Sequence, residues 1–318
     1  MSAETFYLSD FGNTRIFVRC WQPVEPDFKG IVQIAHGIME HSGRYAEIAE
    51  ALVSRGYMVY ASDHPGHGYT DPDDAGHVEA TDGFHQIVAG IRELYSEIRK
   101  YHPDKPVFLL GHSLGSTLVM RSLQCYDINP HGIIYSGFPS PPSVLLLSPG
   151  IALASLLERL HGSKARSPLL FRLIFGPYQR TFRPNRTPFD WLSRDEREVD
   201  NYVEDPYCGF ICSTALYKSL LKGLRSVFRR RNLRKHPAEV PVLMISGERD
   251  PVTSFGKGMR RICSKLRKNG VSRIDTRYYK EARHELFHEV NRQEVATELA
   301  DWLDDQITDN SVDESASG

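Results

Sequence analysis

Short, almost unbroken apolar runs alternate through the first third of the chain with segments whose apolar residues return every three or four positions. The runs at 31–35, 57–61, 107–110 and 133–135 have no polar side, the pattern of strands buried on both faces. Between the first two, Ala46, Ile48, Ala49, Leu52 and Val53 fall at helical spacing over 45–55, and Gly56 ends the helix. Thr81 and Asp82 offer a cap for a second amphipathic helix reaching about 101, with Phe84, Ile87, Val88, Ile91, Leu94, Tyr95 and Ile98 on one face. Ahead of these, 5–9 and 15–21 read as a hairpin turning through Gly12 and Asn13. The rhythm resumes late in the chain, with a strand at 240–247, a helix near 256–268, a strand at 272–279 and a final helix at 292–307. Repeated βα units predict a mostly parallel sheet with helices on both faces, and ligands beyond the carboxyl ends of its strands.

From 139 to 238 that rhythm stops. Several helix-like apolar pieces follow one another without strand punctuation, which predicts a helical cap inserted into an α/β core formed by 1–138 and 239–308. The segment 143–157 is strongly apolar but interrupted by Pro149 and Gly150. It is expected to line an acyl channel, dip into a lipid surface or serve as ordinary cap core, and is too broken to span a bilayer. Residues 309–318 are small, polar and acidic, and are expected to be disordered.

Charge sharpens this division. The chain carries 39 Lys/Arg and 40 Asp/Glu, so its net charge of −1 excludes a global case for nucleic-acid binding. Residues 141–238 hold 17 of the bases and 8 of the acids, leaving 22 against 32 elsewhere. The excess includes the cluster Arg229, Arg230, Arg231, Arg234 and Lys235. A basic cap on an acidic body either touches an anionic membrane peripherally or is a solvated surface with no partner. Five scattered cysteines in a chain of 318 residues argue for a reduced, cytoplasmic setting, and the start of the chain lacks the basic flank and apolar segment of a signal peptide. Cys208 and Cys212 have no second Cys/His pair beside them, so buried apolar packing is preferred to zinc.

The candidate chemistry begins at Gly111-His112-Ser113-Leu114-Gly115, which joins the run 107–110 to a helical segment. A strand passing into a helix through G-x-S-x-G is a nucleophile elbow. It holds the serine in strained backbone geometry, and side chains two residues away would clash. Ser113 needs a histidine to take its proton and a carboxylate to orient that histidine. On such a sheet the partners follow in the order acid, then histidine, each just beyond a strand. Asp250 and His284 satisfy both requirements, with Glu248 and His288 as competitors expected to face solvent or cap a helix. The negative oxygen formed in the reaction needs N–H donors. Leu114, following the nucleophile, and Ile38, in the loop after 31–35, are the candidates.

His36-Gly37-Ile38-Met39-Glu40-His41-Ser42-Gly43-Arg44-Tyr45, Asp63-His64-Pro65-Gly66-His67-Gly68, the elbow and His284-Glu285-Leu286 together resemble the monoacylglycerol lipase/lysophospholipase branch of the α/β-hydrolases. The resemblance covers about 30–137 and 240–306 and does not extend with confidence through the cap. It implies an α/β-hydrolase fold and cleavage of lipid-like esters. It assigns nucleophile, acid and base to Ser113, Asp250 and His284, and oxyanion donors to Ile38 and Leu114, with no cofactor and no metal. It also implies that Glu40 and Arg44 face the polar head of the substrate; the residues themselves equally fit a structural ion pair. Ser116 departs from the glycine of many relatives, His112 is expected to pack beside the elbow, and His64 and His67 to hold loop geometry by hydrogen bonds. Other enzymes on the same fold, a peptidase or an acyltransferase, and a non-catalytic binding protein are the rival readings. A peptidase would need an acidic clamp, and a binding protein usually lacks a triad member.

Overall fold

A computed structural model describes residues 3–11, 14–78, 82–141 and 144–316. The described strands are β1 (Glu4–Phe11), β2 (Thr14–Trp21), β3 (Gly30–Ala35), β4 (Tyr57–Ser62), β5 (Val107–His112), β6 (Gly132–Ser136), β7 (Val242–Gly247) and β8 (Ile274–Tyr279). They form one sheet in the order β1-β2-β4-β3-β5-β6-β7-β8. The first two pairings are antiparallel and the remainder parallel. Every residue of β3, β5, β6 and β7 is buried, which explains their unbroken apolar runs. Gln33, the polar residue of β3, donates its amide to the Ile91 carbonyl at 2.9 Å.

The described helices are α1 (Ala46–Ser54), α2 (Gly83–Tyr101), α3 (Leu114–Cys125), α4 (Val144–His161), α5 (Pro168–Arg180), α6 (Glu196–Glu204), α7 (Thr214–Val227), α8 (Arg230–Leu233), α9 (Lys257–Lys268) and α10 (Arg292–Ala316). Two apolar cores sandwich the sheet: one joins it to α2, α3, α9 and the cap, the other to α1 and α10. The Asp82 side chain caps α2 by accepting from His85 N at 3.2 Å. Thr81 and the Gly12-Asn13 turn lie outside the described residues.

Helices α4 to α8 sit between β6 and β7 as the inserted cap, and three begin on side-chain caps from Ser167, Asp195 and Ser213. Two expectations are corrected here. Helix α4 runs through Pro149, because a proline this close to the start disturbs only a first-turn carbonyl while Leu147, Ile151 and Ala154 bury one stripe. At the other end, α10 continues to Ala316 and so enters the segment expected to be disordered. Val295, Leu299, Trp302 and Leu303 anchor its first turns, and neither glycine nor proline interrupts it before its last residue.

Candidate active site

The backbone of Ser113 adopts φ 53° and ψ −117° between β5 and α3, a conformation unusual for a residue with a side chain. It is over-determined by its surroundings. The Ser113 N–H donates to Ser136 O at 2.9 Å, and Ser116 Oγ donates to Gly111 O at 2.6 Å and contacts Ser136 O at 3.0 Å. Ser116 therefore ties the turn together. The flanking glycines are required sterically: a methyl group on Gly115 would overlap the Ala35 carbonyl, and one on Gly111 would lie 2.5 Å from Gly115 O.

Three side chains remote in sequence meet at the carboxyl edge of the sheet. Ser113 Oγ donates to His284 Nε2 at 2.8 Å, and His284 Nδ1 faces Asp250 Oδ2 at 2.9 Å. An ionised carboxylate only accepts, so the proton of the neutral imidazole resides on Nδ1 and leaves Nε2 free to take one. Asp250 is fully buried and its other oxygen accepts from Val252 N at 2.8 Å. Burial works against a charged His284, but the Asp250 carboxylate outweighs it and raises the imidazole above its ordinary value. The rings of His112 and Trp191 lie 4.8 and 5.3 Å from that of His284 and fix its plane.

Beside this relay, Ile38 and Leu114 both line the cavity that opens onto Ser113. Neither N–H has a hydrogen-bond partner among the described residues. The apolar wall of this cavity comes mainly from the cap, through Ile174, Phe175 and Tyr178 of α5 and Leu220, Leu221 and Leu224 of α7. Among the described residues, α4 packs against α7 and leaves Leu156 and Leu160 exposed.

Glu40 and Arg44 are brought together, but with a partner absent from the sequence reading. Arg44 donates to Glu40 Oε2 at 2.7 Å and forks onto both oxygens of Glu285 at 2.6 and 2.7 Å. Glu40 Oε1 accepts from Gly37 N at 2.5 Å and from the Tyr45 hydroxyl at 2.9 Å. Burial pushes the Glu285 carboxyl up, and the Arg44 guanidinium overcomes it to hold that group at about 2. Arg44 thus bridges two buried carboxylates, both of which line the cavity. The signal for Glu285 was its position next to His284 in the block 284–286. His288 is also corrected: it is buried, with Nε2 2.9 Å from the Arg44 carbonyl, because a short 3-10 turn at Leu286–His288 folds it inward before α10 begins. Glu248 is exposed.

His64 Nε2 contacts the His36 carbonyl at 3.1 Å, and His67 Nδ1 contacts the Pro65 carbonyl at 3.1 Å; both hold the loop. The best-grouped potential metal ligands among the described residues are His41, Asp205 and Cys208. His41 Nδ1 accepts from Gly43 N at 3.1 Å, so Nε2 carries the proton and donates to Asp205 Oδ2 at 2.9 Å. A metal on Nε2 would require a proton on Nδ1, opposing the Gly43 N–H. Burial raises the Cys208 thiol well above its ordinary value, away from the thiolate a metal needs.

The cap is stitched to the loop 283–288 that carries His284. Leu192 O accepts from Glu285 N at 2.8 Å, Ser193 Oγ donates to His288 O at 2.7 Å, and the Arg283 side chain reaches the Asp190 and Ser193 carbonyls. Trp191 in this stretch was not identified from sequence.

The family model described as serine aminopeptidase, S33, matches residues 26–291. The chain is 27% identical to human monoglyceride lipase over 87% of its length and 85% of that protein's. It is 26% identical to the monoacylglycerol lipase of Mycolicibacterium smegmatis, over 92% of this chain and 94% of that one. A solved carboxyl esterase from Bacillus coagulans superposes with a TM-score of 0.88 at 23% identity, covering 96% of this chain and 99% of its own.

Proposed function

The chain belongs to the monoacylglycerol lipase branch of the α/β-hydrolase superfamily, and on that premise we propose that it hydrolyses lipid-like carboxylic esters, monoacylglycerols or lysophospholipids, through an acyl-enzyme. The observation that carries this reading is the unbroken Asp250–His284–Ser113 hydrogen-bond chain opening onto a deep apolar cavity. Ser113 Oγ attacks the ester carbonyl while His284 Nε2 takes its proton, and Asp250 stabilises the imidazolium. The Ile38 and Leu114 N–H groups receive the tetrahedral oxyanion, the second reinforced by the N-terminus of α3. His284 then protonates the leaving alcohol, and water repeats the sequence to free the fatty acid.

The aminopeptidase description of the matching family favours a second reading, in which an acidic group would hold a substrate ammonium. The carboxylates lining the cavity, Glu40 and Glu285, already share Arg44, which supports the ester reading instead. We further propose that the basic cap touches anionic membranes peripherally: Leu156, Leu160, Leu169 and Leu173 are exposed on α4 and α5, and the Arg229–Arg231 cluster is exposed at α8. Among the described residues no helix is long and apolar enough to cross a membrane.

A fluorophosphonate probe is expected to label the wild type and not Ser113→Ala; folded wild-type protein that stays unlabelled refutes catalysis. Turnover of short aryl esters alone, with no monoacylglycerol or lysophospholipid, would withdraw the lipid assignment. Equal sedimentation with neutral and anionic vesicles at low salt would remove the membrane contact.

A further inference from the structure

Met39 follows the candidate oxyanion donor Ile38 and holds φ at 59°, the left-handed region that a residue with a side chain other than Asn, Asp or His rarely occupies. Such a conformation persists only where its surroundings over-determine it. Here they come from the cap. The Tyr202 hydroxyl of α6 donates to Met39 O at 2.8 Å, and the Gly209 N–H donates to the same oxygen at 3.0 Å. Tyr202 is itself immobilised, 97% buried, with the Arg44 guanidinium 4.8 Å above its ring and the Phe189 ring 4.9 Å away. On the other side of Ile38, Glu40 Oε1 grips the Gly37 N–H at 2.5 Å. The tripeptide Gly37-Ile38-Met39 is therefore clamped by the core at its first N–H and by the cap at its last carbonyl.

We propose that Tyr202 is a positioning residue for the oxyanion hole: through the Met39 carbonyl the cap holds the Ile38 N–H in the orientation that receives the developing negative oxygen. This rests on the serine-hydrolase reading above. A preorganised donor loses catalytic effect when it must be reoriented at the moment of reaction. Its support on Tyr202 is thus felt in the transition state and not in the bound substrate. The phenol proton is committed to Met39 O, so Tyr202 meets the substrate only as part of an apolar wall. The arrangement also makes a complete oxyanion hole conditional on a seated α6, independently of how α4 lies.

The test is Tyr202→Phe, which keeps the ring against Arg44 and Phe189 and removes one of the two donors to Met39 O. With a monoacylglycerol substrate, kcat is expected to fall about tenfold, short of the ~100-fold or more that follows loss of an oxyanion donor itself, while KM stays within about twofold. Affinity for a trifluoromethyl ketone, whose adduct with Ser113 carries the oxyanion, is expected to weaken by the same factor as kcat/KM. Hydrogen exchange is expected to accelerate over 37–41 but not over α3. Unchanged kcat and ketone affinity would overturn the proposal, as would a raised KM with unchanged kcat, which assigns Tyr202 to substrate binding. Exchange that accelerates equally in both segments would also overturn it, as general loosening. Failure of the underlying reading is distinguishable, because then wild-type protein itself would neither label with fluorophosphonate nor bind the ketone.

Discussion

Replacing Arg44 by methionine separates the two roles open to the Glu40/Arg44 pair. The guanidinium is buried with two carboxylates, the side chains of Arg44, Glu40 and Glu285 being 8, 3 and 6% exposed. Methionine fills similar length without charge, so Glu40 retains the Gly37 N–H and Tyr45 hydroxyl as donors while Glu285 loses its fork. Removing one member of a buried ion pair destabilises by about 3–5 kcal/mol, because the remaining charge is left without compensation. A second route gives a similar figure. Glu285 is held at about 2, and release to an ordinary carboxylate value near 4.3 corresponds to roughly 3 kcal/mol. The sign follows from linkage: a carboxylate depressed in the fold contributes stability above its unfolded value, and that contribution disappears as pH falls toward 2.

Urea unfolding at pH 7, followed by the fluorescence of Trp21, Trp191 and Trp302, is expected to show that loss. Adding Glu285→Gln to Arg44→Met should recover more than half of it, since the stranded charge is then gone. KM for glycerol esters relative to simple alkyl esters of the same acyl chain should be unchanged. A variant as stable as wild type, with KM raised for glycerol esters alone, would refute the structural reading and return Arg44 to the substrate head.

Two further outcomes follow from the titrating groups. His284 must be neutral to accept a proton and its value is raised, so the acid limb of kcat/KM should lie above the ordinary histidine value of about 6.5. Asp250→Asn should move that limb down and lower kcat by roughly 10³–10⁴-fold; an unmoved limb would mean that another group titrates. His36 and His64 stack with ring centroids 3.8 Å apart and His67 meets them edge-on at 5.3 and 6.0 Å, and burial lowers all three, His64 to about 3 and His67 to about 4. They stay neutral in the fold while the unfolded chain binds protons below about 6.5, so lowering the pH from 6.5 to 5 should remove roughly 1.5 kcal/mol per histidine. A urea midpoint that does not change over that interval would contradict this.

The parallel strands were legible because burial on both faces leaves a one-dimensional trace, an apolar run bounded by turn residues. The helices α1 and α2 were legible through periodicity and their end signals, and their ends shifted by only a residue or two. Ser113, Asp250 and His284 could be nominated because each stands just past a strand, so that position along the chain already encodes position at the sheet edge. His288 escaped the same logic. Its burial depends on a turn that brings it under the Arg44 carbonyl, 244 residues earlier, and local sequence does not report such a contact.

The cap marks where this legibility ends, and for a physical reason. Its helices pack on one another, on the loop 283–288 and, through α7, on α2 and α3, so their apolar faces lack the single reference plane that the sheet gives the core helices. In α4 the apolar excess fitted a channel wall, a lipid-facing surface or cap core alike, and among the described residues the partner that covers its buried stripe is α7. Tyr202 likewise lies on a short, highly charged helix that reads as a solvated surface. What gives it consequence is one carbonyl, Met39 O, held in a left-handed turn of the core loop that it touches. Residues that orient the chemistry from the cap are therefore found by following strained backbone outward to whatever holds it.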